Sequence, residues 1–190
     1  MDVVLASRSP RRSDLLLSLG LNFSIEAADV DEDCHVGEDA IPYVERIAQS
    51  KAEAVAERLG RPSGVAVLAA DTTVDVDGEI FAKPVDDDDA RRILTVLSHR
   101  THLVHTSVYC WTSEAIAATT VTTSVTFVRL TDRLLEWYLS RGEHLDKAGA
   151  YGMQGAGGAL VRRIDGSPSN VIGLPLAETV GVLGECGVML

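Results

Sequence analysis

An uninterrupted apolar run, Val65 to Ala70, ends on a carboxylate, Asp71. Such a run has no polar face to offer solvent, so it reads as the central strand of a covered sheet. The segments around it supply the cover. Val3 to Ala6 is a short buried strand that runs into Ser7-Arg8-Ser9-Pro10-Arg11-Arg12. There Ser9 reads as an N-cap and Pro10 as the first helical residue. Leu15, Leu16 and Leu19 give that helix an apolar face, and Gly20 ends it. Phe23 and Ile25 suggest a second strand, followed by an acidic loop from Asp29 to Asp39. A helix is expected from about Pro42 to Leu59, with Val44, Ile47, Ala48 and Val55 on one face.

Asp77-Gly78, between Val74, Val76, Ile80 and Phe81, is a strong hairpin signal. Asp86 to Asp89 opens a helix carrying Ile93, Leu94 and Leu97, where acidic residues suit the helix dipole. Thr101 to Trp111 and Val121 to Val128 are rich in β-branched and aromatic residues and read as two long strands. Thr131 caps a helix carrying Leu134, Leu135, Tyr138 and Leu139. A glycine-dense loop from Gly149 to Gly158, a strand to Ile164, a turn at Gly166 and a helix from Pro175 complete the chain. Strands interleave with helices, so the expected class is α/β with a mixed sheet, in one domain over residues 1–190.

Charge narrows the partners. A net charge of -11 argues against coating nucleic acid, yet a few cations in one cleft can still hold a small phosphorylated ligand. Cys34, Cys110 and Cys186 are too few and too dispersed for a disulfide framework, and are expected to be buried structural thiols in a reducing compartment. No apolar run approaches a membrane span, and MDVVLASRSP lacks the pattern of a signal peptide, so a cytoplasmic location is expected.

Five features carry chemistry. A helix N-terminus presents free amides to an anion, and cations on its first turn oppose the dipole. Arg11 and Arg12 therefore point to a bound anion there; the alternative is a solvated basic turn. Lys51 lies on the apolar face of its helix, so it either snorkels to solvent or enters a polar cleft. Asp71, at the end of a buried run, is placed to hold Mg²⁺ or polarise a water, or else to cap a turn before Thr72 and Thr73. Pro84 fixes an extended backbone at Lys83, which is otherwise an exposed loop lysine. The glycine-dense loop around Gln154 allows close approach to a ligand or forms a lid; it matches neither a Walker A loop nor a dinucleotide fingerprint. His102 and His105, three apart in a strand, face opposite ways, and His35, His99 and His144 lack metal-ligand spacing.

Taken in order, LASRSPRRSDLL, ERIAQSKAEAVA, AADTTV, Lys83-Pro84, LDKAGAYGMQGAGG and IDGSPSNVIGLPLAETV resemble the Maf family of nucleotide pyrophosphatases from about Leu5 to Thr179. The resemblance implies an elongated mixed sheet with a deep cleft between two lobes. It implies hydrolysis of a nucleoside triphosphate between the α and β phosphates, with Mg²⁺ or Mn²⁺ as cofactor. On matching positions it implies that Asp71, Lys51, Lys83 and Glu32 are catalytic, that Asp71 and Glu32 hold the metal, and that Ser7, Arg11, Arg12, Thr72 and Gln154 bind substrate. The double arginine, the Asp71-Thr72-Thr73 string and the segment Tyr151 to Gly155 look like the branch acting on dTTP and UTP rather than on 7-methyl-GTP. A homodimer is also implied. The rival reading is a non-catalytic nucleotide-binding regulator of cell division. His99 departs from the family pattern by standing where glycine is usual, which predicts an adjusted local turn away from the site.

Overall fold

The computed structural model describes residues 1–189. Strand β1 (Asp2–Leu5) leads through a turn into helix α1 (Pro10–Ser18), and β2 (Phe23–Ile25) returns beside β1. Helix α2 (Ala40–Arg58) starts two residues before the expected Pro42, since proline is tolerated within a first turn. Strand β3 (Val65–Val76) and β4 (Glu79–Phe81) form the expected hairpin, with Asp77 and Gly78 at φ 54° and 85°. Both residues of the turn are left-handed, as the right-handed strand twist favours. Helix α3 (Asp87–Leu97) is capped by Asp86, whose carboxylate accepts from the Asp89 amide. Strands β5 (Thr101–Trp111) and β6 (Ile116–Phe127) form a long meander, and Thr131 caps α4 (Asp132–Leu139). Tight turns at Ala148–Ala150 and Ala156–Leu160 precede β7 (Val161–Asp165), α5 (Pro168–Ile172) and α6 (Leu176–Glu185).

The seven strands form one mixed sheet, ordered β2-β1-β3-β5-β6-β7 with β4 paired to β3. β1 is parallel to β2 and β3; the other pairings are antiparallel. Three sequence expectations need correction. Asp71 does not end its strand: β-branched Thr72, Thr73, Val74 and Val76 carry β3 onward, paired with β5 as far as Asp75. β6 starts at Ile116 rather than Val121, because the alanines before the β-branched run also pair with β5. Cys34 is exposed on the acidic loop, while Cys110 and Cys186 are buried as expected. Helix α5 had no apolar periodicity to announce it; Ser167 caps it and Pro168 sits at its first turn.

The apolar core divides along β3. Toward its start, Leu68 and Ala70 pack with Leu16, Val108 and Leu183 on one face of the sheet. Val67 and Ala69 pack with Ala48, Ala52 and Val55 of α2 on the other. Toward its end, Val74 and Val76 join Phe81, Leu94, Phe127 and Tyr138. Between these clusters β3 is polar: Asp71, Thr72 and Thr73. That stretch also lies in a gap along one strand edge, because β1 pairs only with Val65 to Leu68 and β4 only with Val74 to Val76. A cleft opens at this break.

Candidate active site

The cleft is a cavity of about 690 Å³, and all nine candidate residues line it. β1 stops at Leu5 and the chain veers into α1, so Ser7 and the start of α1 stand beside the open edge of β3. Ser9 occupies the expected N-cap position, yet its side chain makes no capping hydrogen bond. The Ser7 hydroxyl instead accepts from the Ser9 amide at 3.1 Å and from Arg12 Nη1 at 3.3 Å.

Successive residues of a strand face opposite ways, and this cleft uses both faces of β3. Thr72 faces α1: Arg12 donates through Nη2 to Thr72 Oγ1 at 3.1 Å and through Nε to the Gly173 carbonyl at 2.9 Å. Arg12 is thus fixed at three points by neutral acceptors. Asp71 faces α2, where Lys51 is buried in the stripe formed by Val44, Ile47, Ala48, Ala52 and Val55. Its Nζ lies 2.8 Å from Asp71 Oδ1 and 2.8 Å from Glu32 Oε1. Of the two readings open to this lysine, the structure shows the polar cleft. Alanines at 48 and 52 bring α2 close to the sheet, which puts the ammonium within reach of β3.

Glu32 comes from the acidic loop, and α2 pins that loop. Tyr43 donates from its hydroxyl to the Glu32 carbonyl at 2.9 Å. Arg46 grips both oxygens of Glu38 at 2.7 and 2.6 Å and donates to the Asp33 carbonyl at 3.0 Å. This bidentate grip holds the Glu38 carboxyl down at about 2. Neither Tyr43 nor Arg46 was among the sequence candidates; their helical spacing gave no sign that they position Glu32. Lys83 is exposed, with Nζ 3.6 Å from Glu32 Oε2. Arg11 leans away from Arg12 and pairs with Asp146 at 3.0 Å. Gln154 stands exposed at the tip of the glycine-dense loop.

Burial and neighbouring cations leave the two carboxylates shifted in opposite directions. It raises the pKa of Asp71 above the usual range, against the opposing pull of Lys51 and Arg12. Burial also works to raise Glu32, but the hydrogen bond and charge of Lys51, with Lys83 and Arg12, hold it below its ordinary value. Burial lowers the pKa of Arg12, partly offset by Asp71, although a guanidinium keeps its proton throughout the working range.

A divalent cation fits this donor set in one way. Among the described residues there is no cluster of three or more His, Cys, Asp or Glu side chains able to cage an ion. Asp71 and Glu32 nevertheless lie on either side of Lys51 Nζ, each engaging it through one oxygen, which leaves the second oxygen of each for an ion. Two carboxylates completed by substrate phosphates and water are how Mg²⁺ is commonly held.

The residues outside the cleft explain themselves locally. His102 and His105 are buried on opposite faces, bonded to Tyr151 and Thr122. His99 takes φ 59°, a conformation that glycine adopts without strain, and does not line the cleft. No described helix is long and apolar enough to cross a membrane.

The Maf-like protein family matches residues 2–186. The chain is 47% identical over 188 residues to a dTTP/UTP pyrophosphatase of Hahella chejuensis, covering 99% of this chain and 94% of that protein. It is 49% identical over 188 residues to one of Myxococcus xanthus, with the same coverage. Among solved structures, the Ham1 protein of Staphylococcus aureus shares the fold, with a TM-score of 0.50 at 18% identity over 67% of this chain and 72% of that one.

Proposed function

Because the chain belongs to the Maf-like protein family, we propose that it is a nucleoside triphosphate pyrophosphatase with a preference for dTTP and UTP. One observation carries this reading. At the polar stretch of β3, Asp71, Glu32 and Lys51 meet from one face of the sheet and Arg12 from the other, beside a helix start. The names of the relatives support the base preference.

The reaction adds one water across the bond between the α and β phosphates, giving a monophosphate and pyrophosphate. Phosphoryl-type transfer is mostly positioning and charge stabilisation. Arg11, Arg12, Lys51 and Lys83 meet the charge of the triphosphate, with Ser7 and the first-turn amides of α1 on phosphate oxygens. Asp71 orients the attacking water and accepts its proton. Its buried position and raised pKa make it a stronger base than a solvated carboxylate. Lys51 keeps Asp71 ionised and in place. Thr72 and Gln154 stand where they can contact the nucleotide. Asp71 and Glu32 would hold Mg²⁺ or Mn²⁺, which would neutralise phosphate charge and acidify water.

A pyrophosphate-release assay over canonical and modified triphosphates, with Mg²⁺, with Mn²⁺ and with EDTA, tests every part. Metal-dependent release, fastest with dTTP and UTP, is the expected result. Preference for 7-methyl-GTP would overturn the base assignment alone. A folded protein that binds nucleotides and releases nothing would overturn the enzymatic reading in favour of a regulator.

A further inference from the structure

At the cleft, the Asp146 carboxylate is shared by two cations, Arg11 from α1 and its own chain neighbour Lys147. Arg11 on α1 binds it through Nη1 to Oδ2 at 3.0 Å and reaches the Asp146 carbonyl through Nη2 at 3.4 Å. Lys147 binds the other carboxylate oxygen, Oδ1, at 2.5 Å. One anion is therefore bridged oxygen by oxygen between a guanidinium and an ammonium, an arrangement that also suits a phosphate group.

Lys147 is built into the site. Its side chain is mostly buried and lines the cavity, with the ammonium also bonded to the Glu143 carbonyl. The glycine-dense loop is shaped around its stem: a Cβ on Gly152 would lie 2.5 Å from Lys147 Cε and 2.7 Å from Cδ. Asp146 differs. Its side chain is 62% exposed and makes no polar side-chain contact among the described residues except with these two cations.

We propose that Arg11 and Lys147 form a phosphate clamp, and that Asp146 holds the clamp as an internal stand-in until a substrate phosphate displaces it. Lys147 thereby becomes a further substrate-binding residue. The inference rests on the reading of the cleft as a nucleoside triphosphate site. Asp146 keeps the two cations separated and oriented in the free enzyme, and it competes with the substrate for them. Because the Glu143 carbonyl and Gly152 still hold Lys147 without it, the competition dominates: removing its charge tightens binding, whereas a merely structural role would loosen it.

The test measures the Kd of α,β-methylene-UTP, which cannot be cleaved at the α–β bond, by calorimetry on the full chain with Mg²⁺. Asp146→Asn should bind about two- to fivefold more tightly, the range that an exposed ion pair is worth. Lys147→Met keeps the stem against Gly152 and should bind at least ~10-fold more weakly, as loss of a charge-assisted bond requires. Lys147→Arg should recover part of that loss, and the double variant should resemble Lys147→Met. Unchanged or weaker binding by Asp146→Asn with a normal melting temperature would overturn the stand-in. Wild-type affinity in Lys147→Met would overturn the clamp. Either result, in a protein whose wild type hydrolyses triphosphates, leaves the proposed activity standing. A wild type that neither binds the analogue nor hydrolyses any triphosphate would sink both.

Discussion

Replacing Lys51 with Met keeps the length of the side chain on α2 and removes the charge that two carboxylates share. Asp71 is buried and would keep only the nearby charge of Arg12. Breaking a buried pair by removing one partner costs ~3–5 kcal/mol. Glu32 is 41% exposed, so water takes over much of its loss. The expected cost at neutral pH is therefore near the lower end, ~3 kcal/mol, or a fall in melting temperature of ~6–12 °C for a chain of this size.

The sign of the pH dependence makes this prediction strict. Asp71 has a raised folded pKa, so its ionisation opposes folding once the pH exceeds the value of the unfolded chain. Without Lys51 that pKa rises further and the opposition grows. Glu32 has a depressed folded pKa, so it stabilises the fold above the unfolded value and loses that contribution as the pH falls through the folded value. Without Lys51 its contribution shrinks. Both effects make Lys51→Met worst near neutrality and progressively milder in acid. Urea denaturation at pH 8 and at ~pH 4, where the unfolded carboxylates begin to protonate, measures the gap directly. The acid limb of kcat/KM, which reports ionisation of the general base, should also shift to higher pH. An equal loss of stability at both pH values, with the acid limb unmoved, would refute the assignment of Lys51 as the group that keeps Asp71 ionised.

Other perturbations separate chemistry from architecture. Asp71→Asn should lower kcat/KM by ~10²–10⁴, the span of general-base catalysis, while leaving the melting temperature within a few degrees, because Lys51 keeps Glu32. Arg12→Lys should raise KM for dTTP about 10-fold, since one ammonium cannot reproduce the bonds to Ser7, Thr72 and Gly173. Asn170→Ala should cost ~2–3 kcal/mol in urea denaturation, because the fully buried amide donates to the Val104 carbonyl and Thr123 Oγ1 and both would lose a partner. Burial pushes His102 down to about 4. The unfolded chain then binds the extra proton first, and stability should fall by ~3 kcal/mol as the pH drops from about 6.5 to 4. In His102→Gln that component of the acid dependence should vanish.

The sequence exposed those parts of the design that rest on local rules. The Asp77-Gly78 turn, the helix opened by Asp86 to Asp89 and the Pro10 helix start each follow from a few residues, and each appears in the structure. Lys51 was legible as an anomaly, a cation inside an apolar stripe, but its partners lie 19 and 20 positions away on separate elements. The sequence suggests a strand end at Asp71 because the apolar run stops there. The run stops for another reason: at that point β3 leaves one core cluster, crosses a cleft and enters the next. Hydropathy reports the change of surroundings and not the end of the strand. The partners that hold Arg12, Glu32 and Arg11 are backbone carbonyls, a tyrosine hydroxyl and an exposed aspartate, none of which differs by type from hundreds of structural counterparts in other folds.

Charge accounts for how so acidic a chain can hold a triphosphate. Six basic and four acidic side chains line the cleft, an excess of two positive charges. Five of the six basic groups are engaged in the free protein: Lys51 and Lys83 face Glu32, Arg11 and Lys147 face Asp146, and Arg12 is fixed by neutral oxygens. Cations crowded without carboxylates would repel one another and spread, so the acids preserve the geometry at the cost of competing with the ligand. A triphosphate carries about four negative charges near neutrality, which the excess of two meets only by half. The proposed divalent cation at Asp71 and Glu32 supplies the remaining two. On this balance the substrate enters as its metal complex, and EDTA should weaken binding of α,β-methylene-UTP as well as stop turnover. Metal-independent binding of the analogue would show that the cleft neutralises its ligand without help, and would refute this division of charge between protein and metal.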